Sequence, residues 1–218
     1  MRNWWKGLAF FLLLYTVIGG FFVEVPRQVI LYESIRNLYF HVPMWFSMIF
    51  LFLISFYYSI RHLSNGNMQE DHKAVELVNV GIIFGILGTL TGSLWAKYTW
   101  GAWWTNDVKL NGAAISMLIY FAYLILRGSI EEEEKRARIS AVYNIFAFVL
   151  LIVFIGILPR MTDSLHPGNG GNPGFNNYDL DNNMKLVFYP AVIGWILLGM
   201  WIYDLRLRMR KISIKLDS

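Results

Sequence analysis

Long apolar runs separated by short polar breaks dominate the chain, and the runs are apolar around their whole circumference. Six of them lie at about 4–23, 39–60, 74–94, 112–127, 140–158 and 185–203. A helix needs roughly 20 mostly apolar residues to cross a bilayer. The pattern therefore predicts an all-α integral membrane protein, a single six-helix domain over 1–218. The first run, "GLAFFLLLYTVIGGFFV", has no small-residue cleavage pattern after it and reads as a retained span. In the third, Gly81, Gly85, Gly88 and Gly92 recur at steps of four, three and four. Such a stripe admits a close neighbour, and packing within the bundle accounts for it. The break at 95–111 is rich in tryptophan, and the one at 159–184 is long enough to be functional or disordered and not a simple connector.

Composition sharpens the picture by exclusion. Of 218 residues, 56% are hydrophobic and only 16% charged, against about 25% charged in an ordinary soluble domain. The chain has no cysteine, which rules out C-x-x-C-H haem attachment, thiol redox chemistry and thiolate metal sites. It has no P-loop either. No span carries Asp, Glu, Lys or Arg near its middle, and no inverted repeat is visible, which argues against a pump or channel.

Charge sets an expected orientation. One side collects Arg2, Lys6, Arg61, Lys73, Arg127, Lys135, Arg136, Arg138, Arg206, Arg208, Arg210, Lys211 and Lys215. The other holds only Arg27, Arg36, Lys97, Lys109, Arg160 and Lys185. Both termini are expected in the cytoplasm, with the breaks at 95–111 and 159–184 outside. The basic tail "RLRMRKISIK" then faces anionic lipid, not nucleic acid. "EEEEKRAR" (131–138) reads as a solvated turn, and His62 and His72 as solvated surface histidines beside a cytoplasmic loop.

The remaining histidines share the outer side. His41 opens the second span in "LYFHVPMWF", where Pro43 is expected in a first helical turn that has N–H groups to spare. His166 lies in "DSLHPGNGGNPGF". Between them runs "TWGAWWTND". If this stretch is helical for two turns, Trp100, Trp103, Trp104 and Asp107 share one face beside the slim backbone of Gly101. Aromatic belts at membrane interfaces also place tryptophan there. Imidazoles for iron, indoles for a porphyrin, and Arg or Lys for its carboxylates make haem the ligand that fits the whole set.

At this point "GSLWAKYTWGAWWTND" resembles the tryptophan-rich signature of the haem-handling membrane proteins of cytochrome c biogenesis, in particular the haem exporter protein C family. "RNLYFHVPMWFSM" and "SLHPG" are similar to that family's two histidine segments, in the same order. The resemblance implies His41 and His166 as axial ligands of a transient, non-covalent haem b. It also implies Trp95, Trp100, Gly101, Trp103, Trp104 and Asp107 as haem contacts, with Lys97 in the lead-in and Arg36 and Lys109 as basic partners. Asn106 departs from the family, which usually has a third tryptophan there, and Lys109 replaces a common arginine. That exchange keeps the charge and loses the bidentate geometry.

The implied function is carriage without catalysis. Haem is presented at the periplasmic face of the inner membrane to a membrane-anchored haem chaperone, alongside ABC transporter subunits and a small single-span subunit. The alternatives are a b-type haem subunit of a membrane oxidoreductase, a transporter, or a structural assembly subunit whose tryptophans are only an interfacial belt.

Overall fold

The computed structural model describes residues 3–26, 31–166 and 180–217. Arg2, Arg27 and 167–179 of the expected last outer loop lie outside them. Six helices are long and apolar enough to cross a membrane. They are α1 (Trp4–Phe22), α2 (Leu38–Asn65), α3 (Met68–Trp100), α4 (Val108–Gly128), α5 (Glu133–Met161) and α6 (Asn182–Asp217). A 3-10 turn, Tyr32–Asn37, leads into α2, and no strand occurs among the described residues.

The helices outrun the apolar segments that announced them. The expected 61–73 loop shrinks to Gly66 and Asn67. Gly66 ends α2 in the left-handed conformation (φ 66°), and the Asn67 side chain accepts the Gln69 N–H to start α3. The polar residues of that break thus sit on helices. His62 and His72 are accordingly not solvated: they are 5% and 7% exposed, with His62 Nδ1 3.1 Å from the Asn67 carbonyl and His72 Nε2 3.6 Å from Glu133. The four glutamates at 131–134 are exposed as expected, although α5 already begins at Glu133. Pro43 is the sixth residue of α2, beyond the first turn, because the helix starts at Leu38. Ser47 Oγ donates to the Pro43 carbonyl (2.8 Å).

Packing centres on α2 against α3, and the glycine stripe explains it. Phe52, Met48, Trp45 and His41 follow the same four-three-four spacing in antiparallel register with Gly81, Gly85, Gly88 and Gly92, and each ring or thioether sits where a Cβ would go. Phe52 also stacks on Tyr120 of α4 (3.7 Å between ring centres, 11° between planes). A buried polar node ties α5 to α2, as Asn144 Nδ2 donates to Ser55 and Ser59 at 2.8 Å each. In α5 the turn Ile152–Ile157 is π-helical, with Leu158 N–H reaching back to Val153. Pro159 follows directly and has no N–H to continue the regular ladder. The widened turn brings the Phe154 carbonyl against Gly112 of α4, 2.5 Å from where a Cβ would stand. Helix α1 packs chiefly on α6, through Gly19 on Val187 and Gly194 on Leu12.

The two ends of the bundle differ in kind. One end, formed where α2 meets α3 and α4 meets α5, carries ion pairs on buried carboxylates: Asp71 with Arg127 (2.8 and 2.6 Å), and Glu76 with the half-buried Arg206 and Arg210 (2.6 Å each). The opposite end holds His41, His166 and Trp95, Trp100, Trp103 and Trp104.

Candidate haem-binding site at the histidine end

Helix α3 is the scaffold. Gly88, Gly92 and Trp95 fall at i, i+4 and i+7, one stripe of its surface. His41 lies over the two glycines, and His166 lies over Trp95 (6.1 Å between ring centres). The two imidazoles are thereby brought to successive turns of one helix face, within electrostatic reach of each other.

Each ring is held by Nδ1. His41 Nδ1 is 2.9 Å from the Gly88 carbonyl and 3.2 Å from Thr91 Oγ1. Thr91 Oγ1 itself donates to Leu87 and Gly88 carbonyls, so the short contact to a carbonyl places the His41 proton on Nδ1. His166 Nδ1 is 3.2 Å from Asp107 Oδ1, and a carboxylate accepts only, which places that proton on Nδ1 as well. In both tautomers the lone pair is on Nε2. A histidine ligand whose other nitrogen is fixed by a carbonyl or carboxylate is the usual arrangement around a metal.

Asp107 is the hub. It is 4% exposed. Its Oδ1 caps α4 by accepting the Lys109 (2.9 Å) and Leu110 (3.4 Å) N–H groups. Its Oδ2 accepts the Ser164 hydroxyl and the Leu165 N–H, both at 2.8 Å. Burial alone would raise its pKa, but these donors and the His166 ring hold the carboxyl below its usual range. Burial is also the largest influence on His166 and, with the charge of Lys109, keeps that imidazole below its ordinary value against the pull of Asp107. The ring is therefore neutral at pH 7, as a metal ligand must be.

The helical face expected across Trp100, Trp103, Trp104 and Asp107 does not form. Gly101 adopts φ 81° and terminates α3, its N–H bonding the Lys97 carbonyl, and Asp107 opens α4 as its N-cap. The stretch between is an irregular turn, so the indoles part company. Trp100 packs edge-on against His166 (4.8 Å) and Trp95 (5.1 Å). Trp103 and Trp104 point outward, 56% and 42% exposed. Trp104 Nε1 donates to Asn111, whose amide donates in turn to Asn106. Asn106 thus has a local structural use here.

Residues 1–216 match the profile of the family described as "Heme exporter protein C" (CcmC). This chain belongs to the heme exporter protein C family. It is also similar to proteins named cytochrome c biogenesis protein CcsA. One, from Prochlorococcus marinus, is 37% identical over 89 residues, covering 41% of this chain and 28% of the relative. A second, from Prochlorococcus marinus subsp. pastoris, is 41% identical over the same length and shares. A third, from Pelargonium hortorum, is 31% identical over 104 residues, 47% of this chain and 32% of the relative. The chain thus spans less than a third of the length of the curated relatives it matches.

In this heme exporter C family member the structure brings Trp95, Trp100 and Asp107 against His166, with His41 within electrostatic reach and Lys109 near enough for its charge to act on His166. It sets Trp103 and Trp104 on the adjoining surface. Arg36 is engaged elsewhere: its Nη1 donates to the Gly20 (3.0 Å) and Val23 (2.6 Å) carbonyls at the end of α1, and Nε pairs with Glu33. Sequence reasoning missed Gly88, Gly92 and Thr91 as the seat of His41, and Ser164 as a brace of the second histidine segment. The matched spacing of 41-45-48-52 and 92-88-85-81 was the available signal for the first. Nothing in the sequence pointed to Ser164.

Proposed function

We propose that this protein binds haem non-covalently at the histidine end, with iron between the Nε2 atoms of His41 and His166, and hands it on during cytochrome c maturation. The observation that carries the reading is the matched anchoring of the two imidazoles. Each donates Nδ1–H to a fixed acceptor, Gly88 or Asp107, and so offers Nε2 from the same stripe of α3. The surroundings suit a porphyrin. Trp95 and Trp100 supply ring faces and edges beside His166, and the Trp95 N–H is buried without a partner. Bound haem would supply the iron; the chain holds, orients and shields it. The names of the relatives support the same pathway.

In this reading the histidine end faces the periplasm and both termini lie in the cytoplasm, because basic residues concentrate at the opposite end. Delivery is to a membrane-anchored haem chaperone, with ABC transporter subunits and a small single-span subunit as partners. The exposed Trp103 and Trp104 are placed to meet the receiving protein or the lipid headgroups.

Absorption spectra of the purified protein test the reading. Wild type from haem-replete cells should show a low-spin Soret band, with haem fully extractable by acid acetone. His41→Ala and His166→Ala should each shift it toward high spin, and the double variant should lose haem. Two alanine variants with an unaltered low-spin spectrum would sink the ligand assignment. Reporter fusions after residues 105 and 133 should read outside and inside respectively; the reverse would put the site on the wrong face.

A further inference from the structure

All six threonines lie among the described residues, and four use their hydroxyls in the same way. Thr16, Thr89, Thr91 and Thr162 donate to the carbonyls of Leu12, Gly85, Leu87 and Leu158, four residues back, at 2.8–2.9 Å. This back-bond is the standard outlet for a threonine in a helix. Thr99, two turns beyond Thr91 on α3, could close the same bond on Trp95 and does not. Its hydroxyl is buried with no partner, and so is that of Thr105 in the turn that follows. The Trp95 indole N–H, one helical turn from Thr99, is the third unpaired group in this short stretch.

Buried polar groups are nearly always hydrogen-bonded, so three orphans in one locality call for a missing partner. An indole N–H can only donate, which means that partner presents acceptor atoms. Asp107, the buried carboxylate of the same turn, is not open to them, because it already accepts from Lys109, Leu110, Ser164, Leu165 and His166. Of the two basic candidates from the sequence, Arg36 is engaged on α1, and Lys109 lies close enough to His166 for its charge to act there. Haem is apolar except for its two propionate carboxylates.

We propose that Trp95, Thr99 and Thr105 form the carboxylate-recognition edge of the site, donating to a propionate of the bound haem. The assignment rests on the haem reading above and adds which part of the cargo this edge reads. A hydrogen bond to a charged acceptor is the strong kind, so the preference it gives is large.

The test is an absorbance titration of the full-length protein in detergent with iron protoporphyrin IX and, separately, with its dimethyl ester. Wild type should bind the diacid about tenfold or more tighter than the ester, as expected for loss of a charge-assisted bond. Thr99→Val with Thr105→Val should narrow that ratio to about twofold or less, the low-spin band positions being kept, because neither threonine touches iron. The same pair changed to serine should restore the preference, which separates a lost hydroxyl from a disturbed fold. Trp95→Phe should narrow the ratio in the same direction. A double valine variant that keeps the wild-type ratio would overturn the proposal and assign the orphan groups to water. A wild type that forms a low-spin complex with both porphyrins equally would overturn it while leaving the haem reading standing. A wild type that forms no complex with either would overturn both.

Discussion

At the charged end of the bundle, Glu70, Asp71 and Glu76 are buried and each has a cation against it: Lys73 at 3.0 Å, Arg127 at 2.6 Å, and Arg206 with Arg210 at 2.6 Å. At the histidine end, Trp95, Thr99 and Thr105 have no partner, and two imidazoles hold their lone pairs on Nε2. Both ends bury polar groups, yet only at the charged end is each buried carboxylate matched by a cation, although Ser140 Oγ on α5 also lacks a partner. The Lys73 partner of Glu70 comes from α3 itself, whereas the partners of Asp71 and Glu76 come from the facing helices α4 and α6 and lock helix to helix. The histidine end fixes Nδ1 of each imidazole, and under the proposed haem reading leaves Nε2 and the unpaired donors for the cargo. Local rules of satisfaction are broken where function needs them broken.

Breaking the charged end should have the largest effect. Asp71→Ala would leave the Arg127 guanidinium buried and unpaired, a loss of about 3–5 kcal/mol. Thermal unfolding in detergent should show it, and replacing both partners, Asp71→Leu with Arg127→Met, should recover most of the loss. If the single and double variants unfold alike, the pair is not what holds α3 to α4.

Gly92→Ala comes next and works on the histidine end. A Cβ there would overlap the His41 ring, whereas Gly81→Ala would overlap Phe52. Overpacking of this kind costs about 1–3 kcal/mol. Both variants should lose stability, but only Gly92→Ala should disturb the low-spin haem spectrum. Equal spectral disturbance from the two would mean that the stripe has no special outer segment.

Asp107→Asn should be gentler. Asparagine caps a helix about as well as aspartate, so α4 should persist. What goes is the negative charge that fixes the His166 proton on Nδ1, and loss of such an outer partner typically weakens metal affinity about 10–100-fold. Haem retention should fall by about tenfold or more, with a smaller drop in the unfolding midpoint, because the amide nitrogen that replaces Oδ2 cannot accept the Ser164 and Leu165 donors. Unchanged retention would reduce Asp107 to a cap.

The smallest effect is on pH dependence of the haem-free protein. His166 and Asp107 both have pKa values depressed by folding, so protonation favours the unfolded chain in each case. Their contribution to stability is present above the ordinary values of 6.5 and 3.8 and is lost as pH falls through the folded values. Protection factors of the 164–166 amides, taken against the intrinsic exchange rate at each pH, should therefore fall on acidification, first below pH 6.5 and further below 3.8. In Asp107→Asn the second step should vanish.

Six spans, an all-helical chain and the family could be read from the sequence, because bilayer thickness imposes a length of apolar residues that needs no partner to be recognised. His41, Asp107 and His166 could be named from the sequence as residue types in a motif, and their haem role is the proposal made above. Helix ends were not: Gly66 and Gly101 stop helices by adopting positive φ, while polar residues such as His62 and Glu70 continue them, since burial against neighbouring helices overrides their preference for water. Nor was the tryptophan stretch. Spacing alone made it one helical face, but a single left-handed glycine followed by an aspartate cap turns it into a corner, sending Trp100 inward and Trp103 and Trp104 outward. The pairing of His41 with Gly92, and of His166 with Asp107 across 59 positions, depends on which helix lies beside which. Periodicity along one chain fixes faces and lengths. Only the packed bundle decides which faces meet, because close packing is satisfied by side chains from segments far apart in sequence.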